Sequence, residues 1–547
     1  MRLESLYTYG LLVCCLSLCA FGGTHYIAAN GSDSNNGTNQ TSAWLHAPGM
    51  AGCTANCAAY TPVPGDQFIF RGGDTWHYSA GSPVGLPWTW HWSGSAGNNI
   101  YLGTDSSWYS GGSFKRPILT MDNPLSSVLL SSCAYDDVDK QAVVLNNVSY
   151  VTLDDFEFTG KCWSGDPDPN ATLNITTATH SLIKGNYFHG WSSTTTSVDV
   201  HRMIRGLLSA TPTYNEIEYN VFDGSDSFHG TTTASNQCFK AVNGAPCQSG
   251  FAIYGDGYNL HHNVFRYLSN GIVTNGFFTV HDNLFEYMWA SYDDQTHPNV
   301  IESGTDGLRG VPFYLYNNVI RHTRQNVTLW VMFDRDAYEF NNVFFDNFGD
   351  SIDCLEHSPA ADTSTPVLHF YNNTLDASDI GNGACKINFA GGNSSTPTWH
   401  GTTTFENNHF IGYSQLSSVW VCQSPATCAV NDNGHEVYQT EATANGQGYT
   451  ASNNYAPVSP GNGATVGVGA GLTGYCASFS TDNAFCAGTS GGVLEQPGQG
   501  GYVAVSPAVA LVARPSSGAW DAGAYEYSSG SASGQPNPPS GLTAVVQ

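Results

Sequence analysis

One pattern of apolar and polar positions recurs through the middle of the chain: apolar, any residue, apolar, any residue, Asn, any residue, large apolar. It first reads Leu182-Ile183-Lys184-Gly185-Asn186-Tyr187-Phe188. It returns at Asn220-Val221-Phe222, Asn263-Val264-Phe265, Asn283-Leu284-Phe285, Asn318-Val319-Ile320, Asn342-Val343-Phe344, Asn373-Thr374-Leu375 and Asn408-His409-Phe410. The asparagines are 34, 43, 20, 35, 24, 31 and 35 residues apart. Around each one the alternation has period two, which predicts a strand. Sandwich strands would recur every ~8–12 residues without a shared register motif. Propeller blades would hold a steadier period of ~40–50 residues. One motif at long, uneven intervals instead predicts stacked coils with loop insertions, a solenoid. An Asn at the same place in each coil would bond to the next copy, and the large apolar residue beside it would fill the interior.

A second strand set precedes the Asn motifs: Gly250–Tyr254, Gly271–Asn275, Asn299–Ser303, Thr328–Met332, Ser351–Leu355 and Cys385–Phe389. Its outward residues vary from coil to coil while its inward residues stay apolar. That is the face on which a solenoid binds its ligand.

Both ends carry a resemblance. Tyr26–Thr38, Gly65-Asp66 and Arg71–Trp76 resemble the entry of secreted right-handed β-helix proteins, and Trp520–Tyr527 resembles their closing coil. With the Asn repeats, residues 24–527 resemble the pectate-lyase-like β-helix superfamily. The resemblance implies an all-β, right-handed parallel β-helix with an N-terminal cap and loop insertions. It leaves activity open, because that superfamily includes lyases, hydrolases, esterases, epimerases and adhesins.

The expected organisation has four parts. Residues 1–22 form a signal peptide, with Arg2 as its charge, Leu11–Ala20 as its apolar run and a mature start near Gly23. Residues 23–130 form the cap and first coils, 131–527 the β-helix, and 528–547 a Ser/Gly/Pro linker with a disordered tail. No later run reaches the ~18 apolar residues of a membrane span. The chain is therefore expected to be secreted, to the medium or the cell surface.

Removing the signal takes away Cys14, Cys15 and Cys19 and leaves twelve cysteines. Most sit in near pairs (Cys53/Cys57, Cys238/Cys247, Cys422/Cys428, Cys476/Cys486), and Cys133/Cys162 and Cys354/Cys385 are about one repeat apart. In an exported protein these read as disulfides that staple loops.

Charge narrows the partners. There are 17 Lys+Arg against 44 Asp+Glu, a net −27, so nucleic acid is excluded as a partner. The same charge repels an acidic polysaccharide unless Ca²⁺ bridges the two. A neutral or weakly charged polysaccharide is the favoured partner of a chain expected to be monomeric.

The densest polar cluster is Tyr292–Glu302, which leads into an outer-face strand. Glycoside hydrolysis needs two carboxyl groups, about 6.5–9.5 Å apart in inverting enzymes and about 5–5.5 Å in retaining ones. Residues two apart on a strand are ~6.6 Å apart and neighbouring coils ~4.8 Å. Asp293 or Asp294 with Glu302 is the expected acid/base pair, and His297 would orient one of them. Asp334-Arg335-Asp336 at the next outer strand end, then Asp353, Glu356 and His357, are expected to bind substrate.

Two alternatives stay open. One is a Ca²⁺-assisted lyase using Arg335. The other is a glycan-binding or adhesion protein without catalysis. The hydrolase needs no cofactor, and Ca²⁺ would belong to the lyase. Asn30-Gly31-Ser32-Asp33 offers a Ca²⁺-like turn, although an Asx turn has the same residues. His261 and His262, as strand neighbours, are expected to point to opposite faces, which argues against a shared metal. Trp88, Trp90 and Trp92 share one face, expected to cover the open end of the core rather than hold a sugar.

Overall fold

The computed structural model describes residues 22–527 except 127–129, 136–139, 165–170, 195–201, 210–211, 228–250, 256, 289–298, 305–306, 325–326, 349–352, 378–384, 393–395, 458–462, 480–482, 492–493, 496–502 and 505–510. The signal segment, the tail and Cys238/Cys247 lie outside the described residues.

Three long sheets carry the fold. Sheet A has 13 strands, from Thr24–Ile27 to Ala429–Asp432. Sheet B has 11, from Trp88–Trp90 to Trp420–Cys422, and sheet C has 12, from Thr75–His77 to Val437–Gln439. In each sheet, strands adjacent in space follow the order of the chain, and their pairing is parallel. A coil runs through B, then A, then C: Asn270–Thr274, Thr279–His281, Leu284–Glu286, and on to Ile301–Ser303 in B. The chain is a right-handed parallel β-helix.

The Asn motif makes the corner from A to C. The residue before each ladder Asn is left-handed, with φ from 52° to 64° at Gly185, Tyr219, His262, Asp282, Asn317, Asn341, Asn372 and Asn407. That conformation costs a residue with a side chain roughly 1–2 kcal/mol. The ladder behind it offsets the cost. Asn263 donates its backbone N–H and its Nδ2–H to Oδ1 of Asn283 at 2.9 and 3.1 Å, and Nδ2 also donates to the Ile217 and His261 carbonyls. The same pair of bonds links each successive Asn from Asn186 to Asn408. Asn408 then donates to the carboxyl oxygens of Glu436, which takes the next place in the column.

The large apolar residue of the motif points inward. Phe158, Phe188, Phe222, Phe265 and Phe285 stack at 4.5 to 5.1 Å between ring centres, all buried. Trp88 and Trp90 are fully buried in the first coils. Disulfides join Cys53–Cys57, Cys133–Cys162, Cys354–Cys385, Cys422–Cys428 and Cys476–Cys486. No helix among the described residues is long and apolar enough to cross a membrane.

The C-terminal part differs from expectation. Among the described residues, the three long sheets end at Val437–Gln439, and Trp520–Tyr527 adds no strand to them. The chain beyond folds back along the outside of sheets A and C. Trp520, Phe479 and Phe485 pack on Tyr316, Phe340 and Tyr371, while Tyr455 and Tyr525 pack with the column Val221, Val264, Leu284, Val319 and Val343. Arg514 donates to Oδ1 of Asn341, and the Gly523 N–H donates to the Asn407 carbonyl, so this segment satisfies polar groups of the corner. The outer residues of those coils are apolar and need a cover, which a closing coil at the end could not supply.

Asp33 does not offer a Ca²⁺ site. It is buried, and its carboxylate accepts from the backbone of Leu45, His46 and Thr54 and pairs with His46 Nδ1 at 2.8 Å.

Candidate functional site

Sheet B positions the expected site by register. Its inward row is Ile204, Ile253, Ile272, Ile301, Leu329, Leu355 and Ile387. Each next residue therefore points outward, because side chains alternate along a strand. The outward row is Arg205, Tyr254, Val273, Glu302, Trp330, Glu356 and Asn388. Glu302, Trp330 and Glu356 are half-buried neighbours in three successive coils. Strand spacing puts the Cα atoms of the two glutamates about 9.6 Å apart, with the indole between them.

Other expected residues fall around this row. Asp293, Asp294 and His297 lie outside the described residues, in the segment that leads to Asn299 and Glu302. Asp334 and Arg335 follow the strand Leu329–Phe333 at the edge of sheet B. The Gly310 N–H donates to Asp334 Oδ1 at 2.9 Å, so Asp334 pins a turn, and Arg335 is exposed. Asp353 begins the strand Asp353–Pro359, but its side chain lies outside the described residues.

His357 is not on the outer face. It is fully buried on the inward side of that strand, where its Nε2 meets Glu339 Oε1 at 2.7 Å. It stands next to Glu356, so strand alternation sends the two to opposite sides.

Sheet A brings together a second polar group. Its outer row reads Asp154, Lys184, Glu218, His261, His281 and Tyr316, all two residues before a corner residue or ladder Asn. Glu216 stands beside Glu218 on the same face. His261 Nε2 lies 2.8 Å from Glu216 Oε1 and 3.5 Å from Glu218 Oε2. Lys184 Nζ approaches the other oxygen of Glu218 at 3.6 Å. The His261 pairing holds the Glu216 carboxyl below its ordinary range, whereas burial raises that of Glu218. The ligand atoms of Glu216, Glu218 and His261 all lie within 4.8 Å of one another.

His261 and His262 are not on opposite faces. The left-handed turn at His262, φ 56°, breaks the alternation and brings the two Nδ1 atoms to 2.8 Å. The signal for this cluster is in the repeat itself. Aligning the chain on the ladder Asn puts Lys184, Glu218, His261 and His281 in one register, two places before it.

Fold and site together define a solenoid with a carboxylate–indole–carboxylate row on one sheet and a histidine–glutamate cluster on another. No protein-family model and no curated sequence matches the chain. Solved structures do. A GH136 lacto-N-biosidase from Eubacterium ramulus has 11% identity over 77% of this chain and 68% of its own, with a TM-score of 0.38. A pectate lyase has 13% identity over 82% of this chain and 92% of its own, TM-score 0.39. A PL6-family alginate lyase has 12% identity over 70% of this chain and 51% of its own, TM-score 0.38.

Proposed function

We propose that this chain is a secreted glycoside hydrolase that cleaves a polysaccharide on the outer face of sheet B. Glu302 and Glu356 form the carboxyl pair, and Trp330 is the sugar platform between them. The observation that carries this reading is their shared outward row, two coils apart. Inverting hydrolases hold their carboxyls about 6.5–9.5 Å apart to admit a water, and a two-coil spacing of about 9.6 Å at Cα comes within side-chain reach of that span. An indole presents an apolar face to the C–H patches of a sugar ring. Asp293, Asp294 and His297 belong to the same proposal as the acidic segment leading to Glu302, and Asp334 and Arg335 as its edge. The disulfides fit an oxidising, extracellular setting.

A second reading, β-elimination on an acidic glycan, is favoured by one feature. Arg205 stands in the same outward row as Glu302, and the Arg202 guanidinium lies 4.0 Å over the Tyr254 ring beside it. Such a basic end suits a sugar carboxylate, and Arg335 with Ca²⁺ would then carry the chemistry.

The test incubates the mature protein with neutral and acidic polysaccharides, with Ca²⁺ or with chelator. New reducing ends without ultraviolet absorbance, lost in Glu302→Gln, are the expected result. Absorbance that chelator abolishes would overturn hydrolysis in favour of elimination. Retention on a glycan column with neither product would leave a binding protein.

A further inference from the structure

The cluster on sheet A is not needed for hydrolysis on sheet B. We propose that Glu216, Glu218 and His261 form a binding site for one divalent transition-metal ion, with Zn²⁺ the ion their donor set fits.

Three donors converge there from two coils. Glu216 and Glu218 are two apart on one strand, so both carboxylates leave the same face. His261 is the register partner of Glu218 in the next coil. Glu216 Oε1, Glu218 Oε2 and His261 Nε2 face one another, and Lys184 takes up only the other oxygen of Glu218. Zn–N and Zn–O bonds of about 2.0–2.2 Å imply ligand atoms roughly 3.3 Å apart in a tetrahedron. The present separations from His261 Nε2, 2.8 and 3.5 Å, bracket that value.

The surroundings prepare His261 as a ligand. Its ring is stacked on His281, 4.7 Å between centres, and its Nδ1 meets Nδ1 of His262. A metal-bound imidazole donates its other N–H to such an outer partner. His262 Nδ1, 2.8 Å away, is placed to be that partner. A bound cation would take the place of the hydrogen shared between His261 Nε2 and the Glu216 carboxylate, leaving the Nδ1–H toward His262. Asn259, the register partner of Glu216, adjoins the cluster and donates its Nδ2–H to Glu216 Oε1 at 3.4 Å.

Access and purpose follow from position. The Glu216 side chain is 44% exposed, so the ion enters from that side. The site ties together the two coils separated by the longest interval in the ladder, the 43 residues from Asn220 to Asn263. A clip across a long loop removes closure entropy from the unfolded chain.

The test uses the full mature protein, disulfides intact and stripped by chelator, titrated with Zn²⁺ alone and then with Co²⁺. One Zn²⁺ per chain, a Co²⁺ visible absorption band and a raised melting temperature are expected. His261→Gln should abolish uptake, and His262→Gln should weaken it by about 10–100-fold. Glu216→Gln, at an exposed position that leaves the fold intact by circular dichroism, should also lose tight binding. His400→Gln should bind as the parent does. Failure of the folded parent to take up Zn²⁺, or uptake unchanged in both Glu216→Gln and His261→Gln, would overturn the site.

Discussion

The imidazole of His357 and the carboxylate of Glu339 meet at 2.7 Å inside the coil, and neither side chain is exposed at all. Glu339 stands in the inward row of sheet A between Leu315 and Phe370, and His357 in that of sheet B between Val331 and Phe389. Each is the polar member of an apolar row, and each is tolerable only because the other is opposite. Breaking a buried pair costs about 3–5 kcal/mol, whereas exchanging both partners for well-packed apolar residues is often neutral or stabilising by about 1–4 kcal/mol. His357→Ala or Glu339→Gln should therefore lower unfolding stability in urea by the first amount. Glu339→Leu with His357→Val, which continue the neighbouring rows, should recover or exceed the parent. A double variant as weak as either single one would mean that the pair is stabilising in its own right.

The ladder makes a separate prediction. Asn263 is fully buried, donates through Nδ2 to two carbonyls and to Asn283, and accepts from Asn220. Asn263→Ala strands several buried groups and should cost roughly 2–4 kcal/mol. Asn263→Asp keeps the acceptor but loses the donors, and should be no better. Denaturant midpoints of the three proteins decide this.

Glu436 gives the fold a dependence on pH. Burial pushes its carboxyl well above the ordinary range, more strongly than the Asn408 N–H pulls it down. The folded state then keeps a proton that the unfolded chain has released. Stability from this group is fully present below the unfolded value, about 4.3, and is lost as pH rises through the folded value. Asp154 acts with the same sign, pushed up to about 7 by burial and by Asp155. Thermal melts from pH 4 to 8 should fall less steeply in Glu436→Gln than in the parent. Equal slopes would show that the ladder end does not titrate there.

The proposed hydrolase site predicts a split in kinetics. Glu302→Gln and Glu356→Gln should each lower kcat by about 10²–10⁴-fold, the usual worth of a general acid or base. Trp330→Ala should act chiefly on KM, because it removes a platform and not a proton carrier. A variant of Glu356 with full kcat would take it out of the pair.

Much of the architecture was legible in the order of residues. Asn at one register, a large apolar residue two places on, and period-two alternation are local properties that the coil merely repeats. Stacking, the ladder and the outward position of Glu302 and Glu356 follow from them. Other outcomes depended on what lies opposite. His357 and Glu339 are 18 positions apart, and Glu218 and His261 are 43 apart. Whether they meet depends on how many residues each coil spends in loops, which no periodicity encodes. The two histidines share a face because one left-handed residue interrupts the strand at His262. Trp520 covers the outside of the coils and does not close the end, because Tyr316, Phe340 and Tyr371 present an apolar outer face there. Local alternation settles which way a side chain points, and only the closed fold settles what it meets.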